Sequence, residues 1–99
     1  MEQQKQQNTI TGKIIAVMEE QSGISKNGSA WRQREYVLQE DKDKYPQRCA
    51  FRVKGENIEK FGLNIGDIVT AYLDIDAHEW QGKWFNELTA WKVEKGGAQ

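Results

Sequence analysis

One cysteine, one histidine and one proline are all that these 99 residues contain of three types that often mark chemistry or constrain a backbone. A lone Cys49 excludes an intramolecular disulfide, and with one histidine it excludes a Cys/His zinc site. His78 has no Ser/His/Asp constellation to join, and Gly23 and Gly28 flank Lys26 without the spacing of a phosphate-binding glycine loop. Neither catalysis nor a cofactor is expected. Asp74, Asp76 and His78 share one strand face, but neighbours about 6.6 Å apart along a strand are too widely spaced to close on one ion, so no metal is expected either. No apolar run approaches the roughly 20 residues of a membrane-spanning helix, and the opening MEQQKQQNT has no hydrophobic signal core. The expectation is a cytoplasmic protein with no membrane and no small-molecule substrate. Neither charge dominates. Fourteen basic against fifteen acidic side chains give −1, which lacks the overall basic character of many nucleic-acid binders.

What the chain does have is aromatic rings and clustered arginine. Four Trp, three Tyr and three Phe are many for one small domain, so some rings belong on the surface. All four arginines, Arg32, Arg34, Arg48 and Arg52, fall within 21 residues. The stretch GISKNGSAWRQREYVLQE, Gly23 to Glu40, holds two of them. Its first half is rich in Gly, Ser and Asn and reads as an exposed loop carrying Lys26; its second half reads as a strand. Strand alternation places Arg32, Arg34 and Tyr36 on one face, a row of guanidinium groups and a phenol suited to phosphates and bases.

In chain order, residues 1–8 read as a disordered polar arm and residues 9–94 as one domain, with 95–99 a flexible tail. Ile10–Met18 is a first strand whose apolar end, Ile14 to Met18, looks buried on both faces, with Gly12 marking a bend or bulge. Trp31–Glu40 is the second strand. Gln47–Lys54 is the third, with Cys49, Phe51 and Val53 inward and Arg48, Ala50 and Arg52 outward. Glu56–Phe61 is a short helix, and Ile68–Ile75 is the fourth strand. Trp80-Gln81-Gly82-Lys83-Trp84 is a hairpin tip and Phe85–Glu94 the last strand. Three strands, a helix between strands three and four, and a closing hairpin are the order of an all-β, five-stranded Greek-key OB-fold barrel. That fold binds oligonucleotides or oligosaccharides on strands two and three between its hairpin loops, where this chain puts its arginines, its SKNG loop and its WQGKW tip.

The segments SGISKNGSAWRQREYVL, FRV, FGLNIGD and KWFNELTAWKVE resemble a small bacterial family known as a domain of unknown function, over roughly Thr9 to Glu94. The resemblance implies an OB-fold similar to single-stranded DNA-binding and primosomal replication proteins, and a single-strand binding role. It does not extend to an acidic recruitment tail, since the chain ends Lys95-Gly96-Gly97-Ala98-Gln99.

Single-strand binders combine a cationic groove with aromatic platforms. The binding set expected here is Lys26, Trp31, Arg32, Arg34, Tyr36, Arg48, Arg52, Tyr72, Trp80, Lys83 and Trp84. Several rings have an alternative in barrel closure: Trp91 and Phe51 read as core, and of the neighbours Trp84 and Phe85 one is core and the other exposed. Trp31 alternates with Val37 and so points inward, unless a bulge at the strand start turns it out. The arginines have their own alternative, a solvated face paired with Glu35 and Glu40. The partner expected is single-stranded nucleic acid, DNA in preference to RNA, bound by a homodimer. A protein–protein adaptor, with the same rings forming an interface, is the competing function.

Overall fold

The computed structural model describes residues 8–96. The chain order is β1 (Asn8–Val17), β2 (Gln21–Ile24), β3 (Ala30–Glu40), β4 (Arg48–Lys54), α1 (Asn57–Phe61), β5 (Ile68–Trp80) and β6 (Lys83–Lys95). The sheet runs β1-β5-β6-β4-β3-β2, and β1 also pairs with β3, so five of the six strands return on themselves in a circuit. Every junction is an antiparallel ladder except β4 with β6, where one parallel register pair, Arg52 opposite Thr89, completes the circuit.

The strand count is six, where the sequence pattern predicts five. The additional strand is β2, inside the stretch read as a loop. Gln21 to Ile24 pair with Gln33 to Ala30, leaving a short turn in which Ser25 accepts from the Gly28 amide at 2.9 Å and donates to Ser29 O at 2.8 Å through its own N–H. The polar composition that marks a loop also suits a short strand exposed along its length. The second difference is β5, which continues beyond Ile75 to Trp80. There it pairs with β6 as a projecting two-stranded arm closed by Gln81 and Gly82, both at positive φ (52° and 81°). Such a pair of left-handed residues is the two-residue hairpin turn whose twist matches the strands it joins.

The core lies inside the circuit: Ile14, Tyr36, Leu38, Phe51, Val53, Val69, Ala71, Leu73 and Ala90, closed at one end by Ile58 of α1 and by Leu63. Period-2 alternation supplies nearly all of it. β1 is buried less than its composition implies, for Ile15 and Met18 are exposed and Ile14 is the fully buried residue. The register shift falls between Ile14 and Ala16, so Ile15 and not Gly12 occupies the irregularity. Gly12 has another duty: it pairs with Glu40 on one side and Val69 on the other, and a Cβ there would sit 2.1 Å from Gln39 O. α1 is one turn bounded by Gly55 and Gly62, both left-handed, and it packs on β4 and β6. Asn8 and Lys95 lie in strands; the rest of the expected arm and residues 97–99 of the expected tail fall outside the described residues.

Candidate nucleic-acid interface

The alternation of β3 is as the sequence implies, but its direction is reversed. Tyr36 and Leu38 are core, with Tyr36 stacked on Phe51 at 5.9 Å between ring centroids. Tyr36 is therefore not a surface platform, and burial raises its phenol pKa above the ordinary value. Arg32 and Arg34 share its inward parity and sit where the circuit opens, beside α1. Arg48 and Arg52, as expected, face outward on β4. The four arginines thus divide between two faces rather than forming one patch. The reason is that β3 must aim Tyr36 and Leu38 at Phe51 and Cys49, their neighbours in register, and this carries Arg32 and Arg34 to the same side.

Three of the four are engaged by side chains of the chain itself. Arg32 clamps Glu59 of α1 with two hydrogen bonds of 2.6 and 2.7 Å and lies 3.6 Å from Glu20. The hydrogen bonds with Glu59 raise the guanidinium pKa and hold the Glu59 carboxyl below its ordinary range. Arg52 stands opposite Glu35 and 3.7 Å from Glu87, while Arg48 donates through Nε to Gln39 at 3.2 Å. Glu59, Glu20 and Glu87 are not the partners expected from sequence; Glu40 pairs with Lys42 instead. Arg34 is different, because its Nε is buried without a hydrogen-bond partner. Lys26 is exposed at the β2–β3 turn and Lys83 beside the arm tip.

All four tryptophans are exposed. Trp31 (44%) lies on the outer face, against the inward reading, with its indole over Gly23 of β2. Pockets of about 460 and 470 Å³ adjoin it, one on the β2 side and one toward Lys54 and Gly55. On the arm, Trp80 (60%) and Trp84 (67%) belong to opposite faces, and Phe85 (43%) is exposed as well. Neither Trp84 nor Phe85 is core, since the arm extends past the circuit and has no interior to offer them. Trp91 (45%), read as core from sequence, is also outside, with its ring 5.5 Å from that of Tyr72. A signal for it existed: Leu88, Ala90 and Val93 cannot share one face without an extra residue between them. Phe51 and Cys49 are placed as read, and burial raises the Cys49 thiol pKa.

Beyond the arginines the outer surface of the arm's base is acidic, with Asp74, Asp76 and Glu87 close in register and Glu87 2.9 Å from His78 Nδ1. Among the described residues no three His, Cys, Asp or Glu side chains gather as a metal site, and no helix is long and apolar enough to cross a membrane.

The fold is shared with solved structures at low sequence identity. The SSB domain of a protein from Synechococcus sp. superposes with a TM-score of 0.60 at 14% identity, over 94% of this chain and 98% of that one. A mitochondrial single-stranded DNA-binding protein from S. cerevisiae gives 0.58 at 17% identity, over 95% and 97%. A small single-stranded DNA-binding protein from Streptomyces coelicolor gives 0.51 at 10% identity, over 96% and 97%. No curated protein sequence matches the chain. The sequence pattern of the family described as a domain of unknown function (DUF3127) matches residues 9–94, and the chain belongs to that family.

Proposed function

We propose that this protein is a non-enzymatic OB-fold barrel that binds single-stranded nucleic acid, DNA in preference to RNA. Five strands make the barrel, and β2 is an outlying leg that extends the first hairpin. The observation that carries the reading is the exposure of all four indoles on a fold shared with an SSB domain and two single-stranded DNA-binding proteins. Indole is among the most favourable side chains to bury, and a surface that leaves four of them in water has faces free for stacked bases. Trp31, Trp80 and Trp84 supply platforms. Lys26, Lys54, Lys83 and Arg48 have no carboxylate partner among the described residues, and Lys54 borders a pocket beside Trp31. Arg32 and Arg52 are tied to glutamates and act mainly by shaping the surface. Arg34 has a buried Nε without a hydrogen-bond partner and is half-buried, so it contributes charge near the mouth and not an open donor.

With about three or four cationic contacts, the log–log salt dependence of single-strand affinity is near −2 to −3. Anisotropy titration of a labelled dT oligomer over a salt series measures it. Absence of binding at about 50 mM salt, at protein concentrations where even weak electrostatic association registers, refutes the reading.

A second reading rests on the arm. Ile75 and Trp84 on one face, and Trp80 and Phe85 on the other, leave a projecting ribbon apolar on both sides. That is the surface of an interaction module, with the homodimer as its simplest product. Light scattering of the wild type and of Trp84→Ala separates the two readings. A dimer that dissociates on substitution, without nucleic-acid binding in either state, favours the adaptor.

A further inference from the structure

The register brings together a basic and aromatic belt that runs across the strands. Gln33 of β3 is opposite Lys54 of β4, and Trp31 precedes Gln33 on the same outer face. Arg52 is opposite Thr89 in the parallel pair, so two residues further along these strands come Lys54 and Trp91. Lys92 is opposite Tyr72 of β5. The belt therefore passes from Trp31 through Lys54 to Trp91, Lys92 and Tyr72.

A bulge builds its centre. Tyr72 pairs with Lys92 but Leu73 pairs with Ala90, which leaves Trp91 as the extra residue. Strict alternation would send Lys92 inward. The bulge instead keeps Ala90 and Val93 against the core and puts Trp91 and Lys92 side by side on the surface. Bulges that re-aim side chains are common beside binding sites. Lys92 Nζ lies 4.9 Å from the centre of the Tyr72 ring and 3.6 Å from Glu94, which also accepts from the Tyr72 hydroxyl. Lys60 of α1 lines the same cleft of about 410 Å³. Lys54 and Lys60 have no ion pair among the described residues, while Lys95 is turned to Asp67 and to Gly62 O. The next rows toward the arm carry Glu35, Asp74, Asp76 and Glu87. Even with Arg52 opposite Glu35, these rows carry more acidic than basic groups and disfavour phosphates, which the lysines one row away favour.

We infer that a bound single strand crosses the sheet along this belt, with a base stacked on Trp91 and its phosphates held by Lys54, Lys60 and Lys92. This rests on the single-strand reading above and adds to it a route and four contacts. The test uses the full chain and fluorescently labelled dT oligomers near the two ends of the roughly 4–16 nucleotide range of an OB fold. Trp91→Ala is expected to weaken binding of the longer oligomer about 5-fold or more, the lower end for loss of a stacked base, with little change in salt slope. Lys60→Gln with Lys92→Gln is expected to flatten the slope by about 1.4, or roughly 0.7 per contact. Circular dichroism establishes that each variant is folded. Should Trp91→Ala disturb the bulge, the double glutamine variant decides, because Lys60 and Lys92 are exposed. If the wild type binds and folded variants match it in affinity and slope, the belt is refuted while single-strand binding stands. If the wild type binds neither oligomer, both fall.

Discussion

Replacing Gly23 by alanine separates the position of an indole from the stability of the fold. A Cβ on Gly23 would lie 2.7 Å from Trp31 Cζ2 and about 3 Å from Cε2 and Nε1, so alanine and the present indole cannot coexist. What yields is decided by what is in the way. The obstructing atoms are the far end of a side chain that is 44% exposed, on a hairpin leg outside the core, so the indole swings off and the backbone stays. Gly23 has an ordinary strand φ, where alanine stabilises by about 0.4–1 kcal/mol through the unfolded chain. For a domain of this size that is worth roughly 2–8 °C in Tm, to be set against the loss of the indole's contact. Gly23→Ala is therefore expected to melt within a few degrees of the wild type while its tryptophan emission changes. If Trp31 stacks a base, its displacement costs up to about 1–3 kcal/mol, a 5- to 150-fold rise in Kd. Thermal melts, emission spectra and anisotropy titration read the three quantities. Unchanged emission and affinity would show that the indole does not rest on Gly23; a collapse in Tm would show that the backbone and not the ring gave way.

Gly12→Ala provides the contrast, because the atoms in its way are the Gln39 carbonyl at 2.1 Å and the β3 backbone beyond it; no folded protein is expected by circular dichroism. Glu59→Gln removes a carboxyl whose folded pKa lies below its ordinary 4.5. A depressed acid contributes stability above its unfolded pKa and loses it as pH falls through the folded value. The wild type should therefore exceed the variant above about pH 5 and converge with it in stronger acid, by a small margin for so exposed a pair, in urea midpoints taken across pH. Cys49 is half-buried with its thiol pKa raised above 9.0, so thiol reagents at neutral pH should modify it slowly in the native protein and quickly in urea; equal rates would contradict the packing.

The core was legible because alternation fixes it. Cys49, Phe51 and Val53 read inward from sequence and lie inward in the structure, and the alternation of Val69, Ala71 and Leu73 on one face of β5 is the alternation that the core uses. The helix was legible from two glycines and the spacing of Ile58 and Phe61. What alternation does not encode is which of two faces turns in, and β3 shows the consequence. Arg32, Arg34 and Tyr36 share a face as read, but two arginines outweighed one tyrosine in judging its direction, whereas Leu38 and the neighbours on β4 decide it. Nor does alternation reveal where a strand leaves the body. Ile75 keeps its parity with Leu73 and is nevertheless 57% exposed, because β5 has passed the end of the circuit. Trp91 failed for a third reason: a single inserted residue exchanges the faces beyond it, and bulges have a weak local signature. β2 failed for a fourth, since a polar four-residue strand is composed like a turn.

The lone parallel pair between β4 and β6 has a dynamic consequence. Four junctions of the circuit are full antiparallel ladders, and this one is a seam joined at a single point, Arg52 and Thr89, with α1 leaning across it. A circuit of strands with one weak seam is expected to open there first, as local opening follows the segment with fewest backbone partners. Amides of β4 and of Leu88 to Trp91 should exchange with solvent through such opening well before those of β1 and β5. Anything lying across Lys54 and Trp91 at once would act as a staple over the gap. It would slow that exchange and stiffen the whole circuit without altering its shape.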